Sequence, residues 1–379
     1  MYIYQEKKEY FAQTADGTED LCFEELSELG AVNIRPGFRG IYFNAEEDVL
    51  YRINYNSRLI SRVLAPLIKF NCFTPEQLYK KAGSIKWADF LGNRNTFAVF
   101  ANVSNSKIKH SKYAALRVKD AVADEFRRKS GKRPSVNTAK PDVWINLHLE
   151  NNRATISFDT SGGPLHRRGY RKESVEAPMQ ETLAAAIIRI SEWCGDKPLY
   201  DPMCGSGTLL CEALMRYCNT PSGVLRGKFG FEFLPDFNKE LWKNEKKNAL
   251  EKIAKLPRHI LYGSDVSGKA VEASRGNLAS IEGGRGVNIR KVDFRDLDSI
   301  ENAVIVCNPP YGIRLKQQGD LEMFYKFFGD FLKKRCKGST AYIYFGNREL
   351  IKNIGLRSSW KKPLKNGGLD GRLVKYQLY

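Results

Sequence analysis

The chain has 379 residues, of which 42% are hydrophobic and 12% aromatic, and this composition excludes a disordered chain and a small fold held together by disulfides. Its net charge is +18, and residues 105–175 carry 16 Lys or Arg against 7 Asp or Glu, so half of the excess lies in this stretch. Clustered positive charge is typical of proteins that bind the phosphate backbone of nucleic acids, with a uniformly basic solvated surface as the alternative.

Membrane segments, secretion signals and metal sites are not expected. No run approaches the roughly 18 consecutive apolar residues of a membrane span. The first residues, MYIYQEKKEYF, lack the basic region, apolar run and cleavage site of a secretory signal, so we expect a cytoplasmic protein. The eight cysteines form no CxxC pair and the four histidines are dispersed. We therefore expect reduced thiols and no bound metal.

Residues 1–70 are predicted to form a ferredoxin-like α+β segment in the order strand, helix, strand, strand, helix, strand. The stretch LCFEELSELG is amphipathic, and Gly30 is placed to end it as a helix. Pro36 and Gly37 then lie in the middle of VNIRPGFRGIYFN, which predicts a hairpin. This segment by itself indicates no chemistry.

Residues 71–165 are predicted to form a second α+β unit, an RNA-binding module. A helix is expected over 111–129, where Ala115, Val118, Val122 and Phe126 repeat at helical spacing and form a buried stripe. Basic loops follow at GKRP and GPLHRRGYRK, and the cations, imidazole and tyrosine of such loops can contact phosphates and stack on bases, although solvated charge explains a basic loop equally well. The predicted RNA-binding residues are Lys112, Arg117, Lys132, Arg133, His166, Arg167, Arg168 and Arg171.

Residues 166–379 alternate strands with longer helices, which predicts a parallel, doubly wound, Rossmann-like α/β sheet. The stretch 219–258 is long and rich in aromatics and lysine, and it is interpreted as an insertion between the first and second strand–helix units. The candidate strands are PLYDPM, HILYGSD, VNIRKVDF, AVIVCNPP, TAYIYFG and RLVKYQLY.

A glycine-containing loop, DPMCGSGT, leaves the first of these strands and enters a helix. Gly205 and Gly207 let the backbone pass close to a ligand, and the helix start offers free N–H groups to an anion. The loop is neither GxGxxG nor GxxxxGK[ST], so NAD and ATP binding are disfavoured. A plain turn is the alternative for this loop taken alone.

Acidic residues follow the next two strands. Asp265, followed by Val266, could accept hydrogen bonds from ribose hydroxyls, although it lies roughly 60 residues beyond the glycines rather than about 20. Asp293 could accept an adenine amino group beside the ring of Phe294. Each acid alone could be a turn or cap residue, but three consecutive strand ends favour a nucleoside cofactor. The predicted cofactor-binding residues are Asp201, Cys204, Gly205, Ser206, Gly207, Thr208, Asp265, Val266, Asp293, Phe294 and Asn308.

The motif Asn308-Pro309-Pro310-Tyr311 follows an apolar strand and is the predicted catalytic loop. An exocyclic amine on a base is a poor nucleophile because its lone pair is delocalised into the ring. The Asn308 side-chain carbonyl and the Pro309 main-chain carbonyl could accept its two N–H hydrogens and direct the lone pair at a sulfonium methyl group. The prolines fix the backbone, and Tyr311 could stack on a base rotated out of its helix.

The sequence resembles the bacterial THUMP-domain class I methyltransferases, and among them the amino-terminal guanine-N2 methyltransferase half of the large-subunit ribosomal RNA enzymes. The likeness rests on SRVLAPL, KYAALRVKDAVADEFRRKSGKRP, DTSGGPLHRRGYR, APMQETLAAAII, DPMCGSGTLLCEA and NPPYG. It implies S-adenosylmethionine as cofactor, structured RNA as partner, and a seven-stranded sheet ending in an antiparallel hairpin. It also implies that the 201–207 loop lines the methionine side. The second methyltransferase half of the fused enzymes is not expected within these 379 residues.

Several readings stay open on the sequence alone. The tetrad Asn308-Pro309-Pro310-Tyr311 also suits adenine-N6 and glutamine-N5, because each substrate presents a conjugated NH2 group. The basic module argues against a glutamine in a protein, while 23S ribosomal RNA and transfer RNA both remain candidates. A noncatalytic RNA-binding assembly factor is an alternative from another class. A Rossmann dehydrogenase is disfavoured, because nothing after Asp265 supplies an acid or base for hydride transfer.

Overall fold

The computed structural model describes residues 1–173, 178–311 and 318–379. None of its described helices is long and apolar enough to cross a membrane. The described residues form two compact units. Unit 1 comprises Met1–Thr14, Cys22–Leu165 and Arg226–Lys247, and unit 2 comprises Ala15–Leu21, His166–Leu225 and Asn248–Tyr379.

Helices and strands are numbered in chain order. The strands are β1 (Glu9–Gln13), β2 (Val32–Gly37), β3 (Gly40–Asn44), β4 (Arg62–Asn71), β5 (Thr96–Ser104), β6 (Ser135–Val136), β7 (Val143–Glu150), β8 (Arg153–Asp159), β9 (Leu199–Asp201), β10 (Leu261–Asp265), β11 (Asn288–Lys291), β12 (Val304–Cys307), β13 (Thr340–Phe345), β14 (Trp360–Pro363) and β15 (Arg372–Gln377). The α-helices are α1 (Ile3–Lys7), α2 (Glu19–Glu28), α3 (Glu47–Asn56), α4 (Pro75–Ala82), α5 (Ser111–Ser130), α6 (Glu181–Ile190), α7 (Thr208–Tyr217), α8 (Lys239–Glu251), α9 (Gly268–Leu278) and α10 (Gln318–Arg335).

The described residues of unit 1 form an eight-stranded sheet with the order β2-β3-β1-β4-β8-β7-β5-β6. Within this order, each pair of neighbouring strands from β2 through to β7 is antiparallel. Strand β5 runs parallel to both β7 and β6. Strands β4 and β8 pair from Leu64 opposite Asp159 to Asn71 opposite Arg153. The ranges 1–70 and 71–165, predicted as separate modules, therefore share one sheet.

Helix α5 covers part of this sheet by packing on β5 and on α4. The buried stripe expected from its periodicity is present at Val118, Val122 and Phe126, whereas Ala115 is half-buried. Gly131 ends the helix with a positive φ of 68° and donates its N–H to the Arg127 carbonyl. This is the left-handed helix end that glycine favours.

The stretch 226–247 packs within unit 1, although the sequence placed it in the third range. The ring of Phe231 stacks on Tyr51 with 4.5 Å between centroids, and Trp242 packs edge-on against Tyr55 at 5.1 Å. Along the chain the stretch lies between α7 and β10, which agrees with its interpretation as an insertion. Its aromatic residues explain its position, because they bury apolar area against other rings.

The described residues of unit 2 form a seven-stranded sheet with the order β11-β10-β9-β12-β13-β15-β14. Five neighbouring strands of this sheet are parallel, namely β11, β10, β9, β12 and β13. Strand β15 is antiparallel to both of its neighbours, so the sheet ends in the hairpin that the resemblance implied. The sequence did not predict β14. This edge strand is largely exposed and carries two lysines, so it lacks the alternating pattern of a half-buried strand.

Arg168 lies in the interior of unit 2, with only 1% of its surface exposed. Its guanidinium pairs with the buried carboxylate of Glu212 on α7, with Nε 3.3 Å from Oε1. The hydroxyl of Tyr170 donates to the same carboxylate at 3.1 Å. The prediction that Arg168 binds RNA is therefore wrong, because its charge is used inside the fold.

Replacing Arg168 by methionine would leave the Glu212 carboxylate buried without its cation. We expect Arg168→Met to lower the free energy of unfolding by about 3–5 kcal/mol in a urea titration, as for other buried pairs that lose one partner. The control Arg168→Met/Glu212→Gln removes both charges, keeps an acceptor for Tyr170, and should regain most of the loss. A decrease under about 1 kcal/mol, typical of exposed pairs, would contradict this role.

Candidate active site

The loop between β9 and α7 is shaped by its packing on α9. Gly207, the last residue before α7, has a φ of 79°, and a Cβ at this position would overlap the hydroxyl of Ser274 on α9. Asn277, also on α9, donates from Nδ2 to the main-chain carbonyl of Ser206 at 3.0 Å. A side chain at position 207 would thus displace the loop, which explains why glycine is needed there.

A cavity of about 890 Å³ lies at the carboxyl ends of the parallel strands of unit 2. Such edges of open α/β sheets are where ligands bind. The lining includes residues that follow β9, β10, β11 and β12, because parallel neighbouring strands bring their carboxyl ends to the same edge. The predicted residues in the lining are Gly205, Asp265, Val266, Asp293, Phe294, Asn308 and Pro310.

A second, narrow cavity of about 40 Å³ lies beside the first. Met203, Gly205 and Asn308 line both, so the two cavities meet at the glycine loop and the catalytic-loop asparagine. The other predicted residues in its lining are Asp201, Cys204, Ser206 and Thr208.

The acids that follow β10 and β11 keep acceptor oxygens at the large cavity. Asp265 accepts from the N–H groups of Gly205 and Ser267, each at 2.9 Å, which fixes its carboxylate against the loop. Asp293 is held by Arg295, whose guanidinium lies 2.6 Å away and lowers the pKa of the Asp293 carboxyl. A carboxylate has about four acceptor positions, so further donors can still be bound.

Asp201 ends β9 beneath the loop, where its side chain is almost fully buried. Burial raises the pKa of its carboxyl to about 8, with the nearby charge of Asp265 acting in the same direction and the hydrogen bond from the Met203 N–H, at 3.1 Å, opposing it. A cation in the narrow cavity would favour the ionised carboxylate. This end of the site therefore suits an ammonium group.

Asn308 follows the fully buried strand β12. Its Oδ1 atom is buried and accepts no hydrogen bond from any residue that the structure describes. Leaving a buried acceptor without a donor is costly. Since Asn308 lines both cavities, the missing donor can come from a ligand.

The rest of the tetrad is fixed by residues far away in the sequence. The hydroxyl of Tyr325 on α10 donates to the Pro310 carbonyl at 3.1 Å. The half-buried ring of Tyr311 lies against Gly346, where a Cβ would be 2.6 Å from the ring. Pro309 is buried. The chain conformation of the tetrad is therefore set by α10 and by the end of β13.

The sequence did not identify Asn277, Phe324, Tyr325 or Gly346 as part of the site. Phe324 lines the large cavity and packs edge-on against Phe294 with 5.5 Å between centroids. None of the four belongs to a local motif. The periodicity of α10 could have predicted that Tyr325 faces the sheet. It could not have predicted that the Tyr325 hydroxyl bonds to the Pro310 carbonyl.

The predicted RNA-binding residues lie in both units. In unit 1, Lys112, Lys132 and Arg133 are exposed, and Arg117 is half-buried with its guanidinium 4.8 Å from the ring of Tyr79. In unit 2, Arg167 is exposed and His166 is half-buried.

Arg171, also predicted to bind RNA, has another role in the structure. Its Nε donates to Glu181 at 2.9 Å, and its Nη2 donates to the Met179 carbonyl at 3.0 Å and to Thr208 at 3.1 Å. The prediction is contradicted, because the guanidinium braces the start of α7 and faces its own fold.

The sheet order, the cavity and the acceptor-lined edge define a class I methyltransferase, whose cofactor is S-adenosylmethionine. A family model described as RMKL-like, methyltransferase domain, matches residues 168–375. Models for the THUMP domain and the RlmL ferredoxin-like domain match residues 73–159 and 9–64. The chain belongs to the RMKL-like methyltransferase family. The predicted family and fold class are confirmed.

Individual relatives agree with this assignment. A putative RNA methyltransferase of Synechocystis sp., slr0064, is 39% identical over 98% of this chain and 97% of its own length. A ribosomal RNA large subunit methyltransferase K/L of Syntrophotalea carbinolica is 38% identical over 97% of this chain, which spans 53% of that protein. The crystal structure of SMU.472, a putative methyltransferase complexed with SAH, is 27% identical over 98% of both chains, with a TM-score of 0.85.

Removing one hydroxyl tests how the tetrad is positioned. Tyr325→Phe loses the hydrogen bond to the Pro310 carbonyl while the ring stays packed, so we expect kcat of methyl transfer to fall about tenfold with KM for S-adenosylmethionine nearly unchanged. The matched control is Tyr376→Phe, because the Tyr376 hydroxyl is buried in the same core without a partner among the described residues. Equal kcat values for the two variants would contradict the positioning role.

Proposed function

We propose that this protein transfers the methyl group of S-adenosylmethionine to the exocyclic N2 nitrogen of a guanine in RNA, with 23S ribosomal RNA as the substrate. The observation that carries the proposal is the buried Oδ1 of Asn308, which the described residues leave without a donor, at the junction of the two cavities. An acceptor at this point suits an NH2 group that must be oriented for attack.

Asn308 and Pro309 act on the amine. The Asn308 Oδ1 and the Pro309 carbonyl accept its two N–H hydrogens, which withdraws the nitrogen lone pair from conjugation and directs it to the reacting carbon. The bound cofactor supplies an electrophilic methyl group on a sulfonium. As the nitrogen–carbon bond forms, the carbon–sulfur bond breaks and its electron pair returns to sulfur. The methylated nitrogen then loses one proton to solvent. Tyr311 stacks on the base.

The remaining site residues orient the cofactor. The loop from Asp201 to Thr208 holds the methionine end, Asp265 the ribose hydroxyls, and Asp293 with Phe294 the adenine. The remaining acceptor positions on the Asp265 carboxylate and the buried carboxyl of Asp201 support this order. With the cofactor in this order, the reacting methyl group would lie near Asn308, which lines both cavities.

RNA as the substrate is supported by the THUMP match and by the exposed cations of unit 1. The residues that we propose to contact RNA are Lys112, Arg117, Lys132 and Arg133 of unit 1 and His166 and Arg167 of unit 2. Ribosomal RNA is supported by the relatives named for large-subunit ribosomal RNA, of which the chain spans about half. Guanine-N2 rests on the family resemblance of the sequence motifs. Transfer RNA and adenine-N6 are the competing targets.

The methylated nucleotide decides between these targets. The purified protein is incubated with S-adenosylmethionine and with 23S ribosomal or transfer RNA from cells that lack the gene, and nucleosides are analysed by mass spectrometry. We expect N2-methylguanosine to increase in 23S ribosomal RNA. N6-methyladenosine instead, or modification of transfer RNA alone, would overturn the target. Failure to bind S-adenosylmethionine in calorimetry would favour a noncatalytic RNA-binding protein.

In the same assay, Asn308→Ala removes the acceptor without touching the glycine loop. We expect turnover to be abolished while the affinity for S-adenosylmethionine stays largely intact. The control Asn248→Ala changes an exposed asparagine of α8 and should have wild-type activity. Substantial turnover by Asn308→Ala would contradict its catalytic role, and a loss of cofactor binding would reassign it to the cofactor site.

The RNA contact is tested by the salt dependence of binding. Replacing two exposed cations, Lys132→Ala/Arg133→Ala, should weaken RNA binding and lower the slope of log K against log salt by about 1 for each lost phosphate contact. The control Lys333→Ala/Lys334→Ala removes the same charge from α10, outside the basic stretch. Equal slopes for both variants would mean that only net charge matters.

A further inference from the structure

The eight-stranded sheet of unit 1 has a face on which several side chains are partly exposed. Along β1, Tyr10 and Ala12 are buried, while Phe11 and Gln13, which alternate with them, are half-buried and point to the other face. A cavity of about 500 Å³ lies on this face, within the range of about 300–1,000 Å³ that small-ligand sites have. All of its lining residues belong to unit 1.

Asn146 on β7 lines this cavity and is only 2% exposed. Its amide nitrogen Nδ2 is buried and has no acceptor within the described ranges. Asn54, another buried asparagine of unit 1, shows the opposite pattern: its Nδ2 donates to Leu50 and Thr160, and its Oδ1 accepts from Ser161. Asn54 is therefore fully bonded within the fold, whereas Asn146 keeps a donor that a ligand acceptor would satisfy.

Aromatic rings and cations surround the same cavity, together with the carboxylate of Glu150. The rings of Phe11 and Tyr42 are tilted against each other with 4.8 Å between centroids. Lys69 lies 5.3 Å from the Tyr42 ring and lines the cavity, as do Arg39 and Phe38 from the turn between β2 and β3. Planar rings, cations and an amide donor are the groups that bind a base by stacking, its phosphate by charge and its edge by a hydrogen bond.

We propose that the open face of the unit 1 sheet, at Phe11, Tyr42 and Asn146, binds an unpaired nucleotide of the RNA. Stacking requires a free base face, which a nucleotide inside a duplex does not offer. The Asn146 amide donates to a base carbonyl or ring nitrogen, and Lys69 neutralises the phosphate. This contact is carried by unit 1 alone, and it rests on the proposal above that the substrate is RNA.

Two variants of the 379-residue chain test the site. Asn146→Leu keeps the branching of the side chain and removes the Nδ2 donor that the described residues leave unbonded, so it should not lower Tm. A role in folding alone would leave RNA binding unchanged. Tyr42→Leu removes the stacking ring. The control Phe23→Leu changes an exposed aromatic residue of α2. Binding is measured by fluorescence anisotropy with a labelled single-stranded RNA of about 10 nucleotides and with a duplex of the same length.

We expect Tyr42→Leu to weaken single-strand binding at least about fivefold, the lower end of base–aromatic stacking, and Asn146→Leu about two- to tenfold, as for one hydrogen bond. Duplex binding, S-adenosylmethionine affinity and Phe23→Leu should be unaffected. Wild-type single-strand affinity in both variants, or an equal loss for duplex, overturns the site while leaving the proposed function standing. Wild-type protein that binds neither RNA but binds S-adenosylmethionine contradicts the proposed RNA substrate itself.

Discussion

The parallel pairing of β9 with β10 and β12 is the constraint on which the active site depends. Leu199 lies opposite both Leu261 and Val304, so the three strands run in register and end at one edge. Asp201, Asp265 and Asn308, spread over more than a hundred positions of the chain, thereby line adjoining cavities. A slip of one residue in any of these strands would move each side chain to the opposite face of the sheet, so the pairing register of β12 with β9 also fixes where Asn308 points.

Buried polar groups separate binding sites from supporting structure in both units. Asn54, Asn277 and the Arg168–Glu212 pair are buried and bonded, and they hold chain segments together. Asn308 and Asn146 are inside the fold with an atom that the described residues leave unbonded, and each lines a cavity. Because an unsatisfied buried group costs stability, its presence beside open space is better explained by a ligand than by folding.

The basic residues show why charge alone could indicate a partner but not a contact. The excess between 105 and 175 favoured a nucleic acid, and the THUMP match lies largely in that stretch. Within it, however, Lys132 is exposed, Arg168 is enclosed with Glu212, and Arg171 braces the loop that enters α7. An arginine beside other arginines has the same sequence signal whether it faces solvent or a buried carboxylate.

The sequence by itself determined the local features: six of the strands of the α/β half, the glycine loop, the acids at the strand ends, and the tetrad beginning at Asn308. These depend on neighbours within a few residues, where periodicity and turn chemistry act. Only the tertiary structure decided that the first two ranges share a sheet, that 226–247 packs on unit 1, and that Tyr325 and Gly346 position the tetrad. Those contacts join residues far apart in the chain, and single-sequence patterns carry no information about which distant side chains meet.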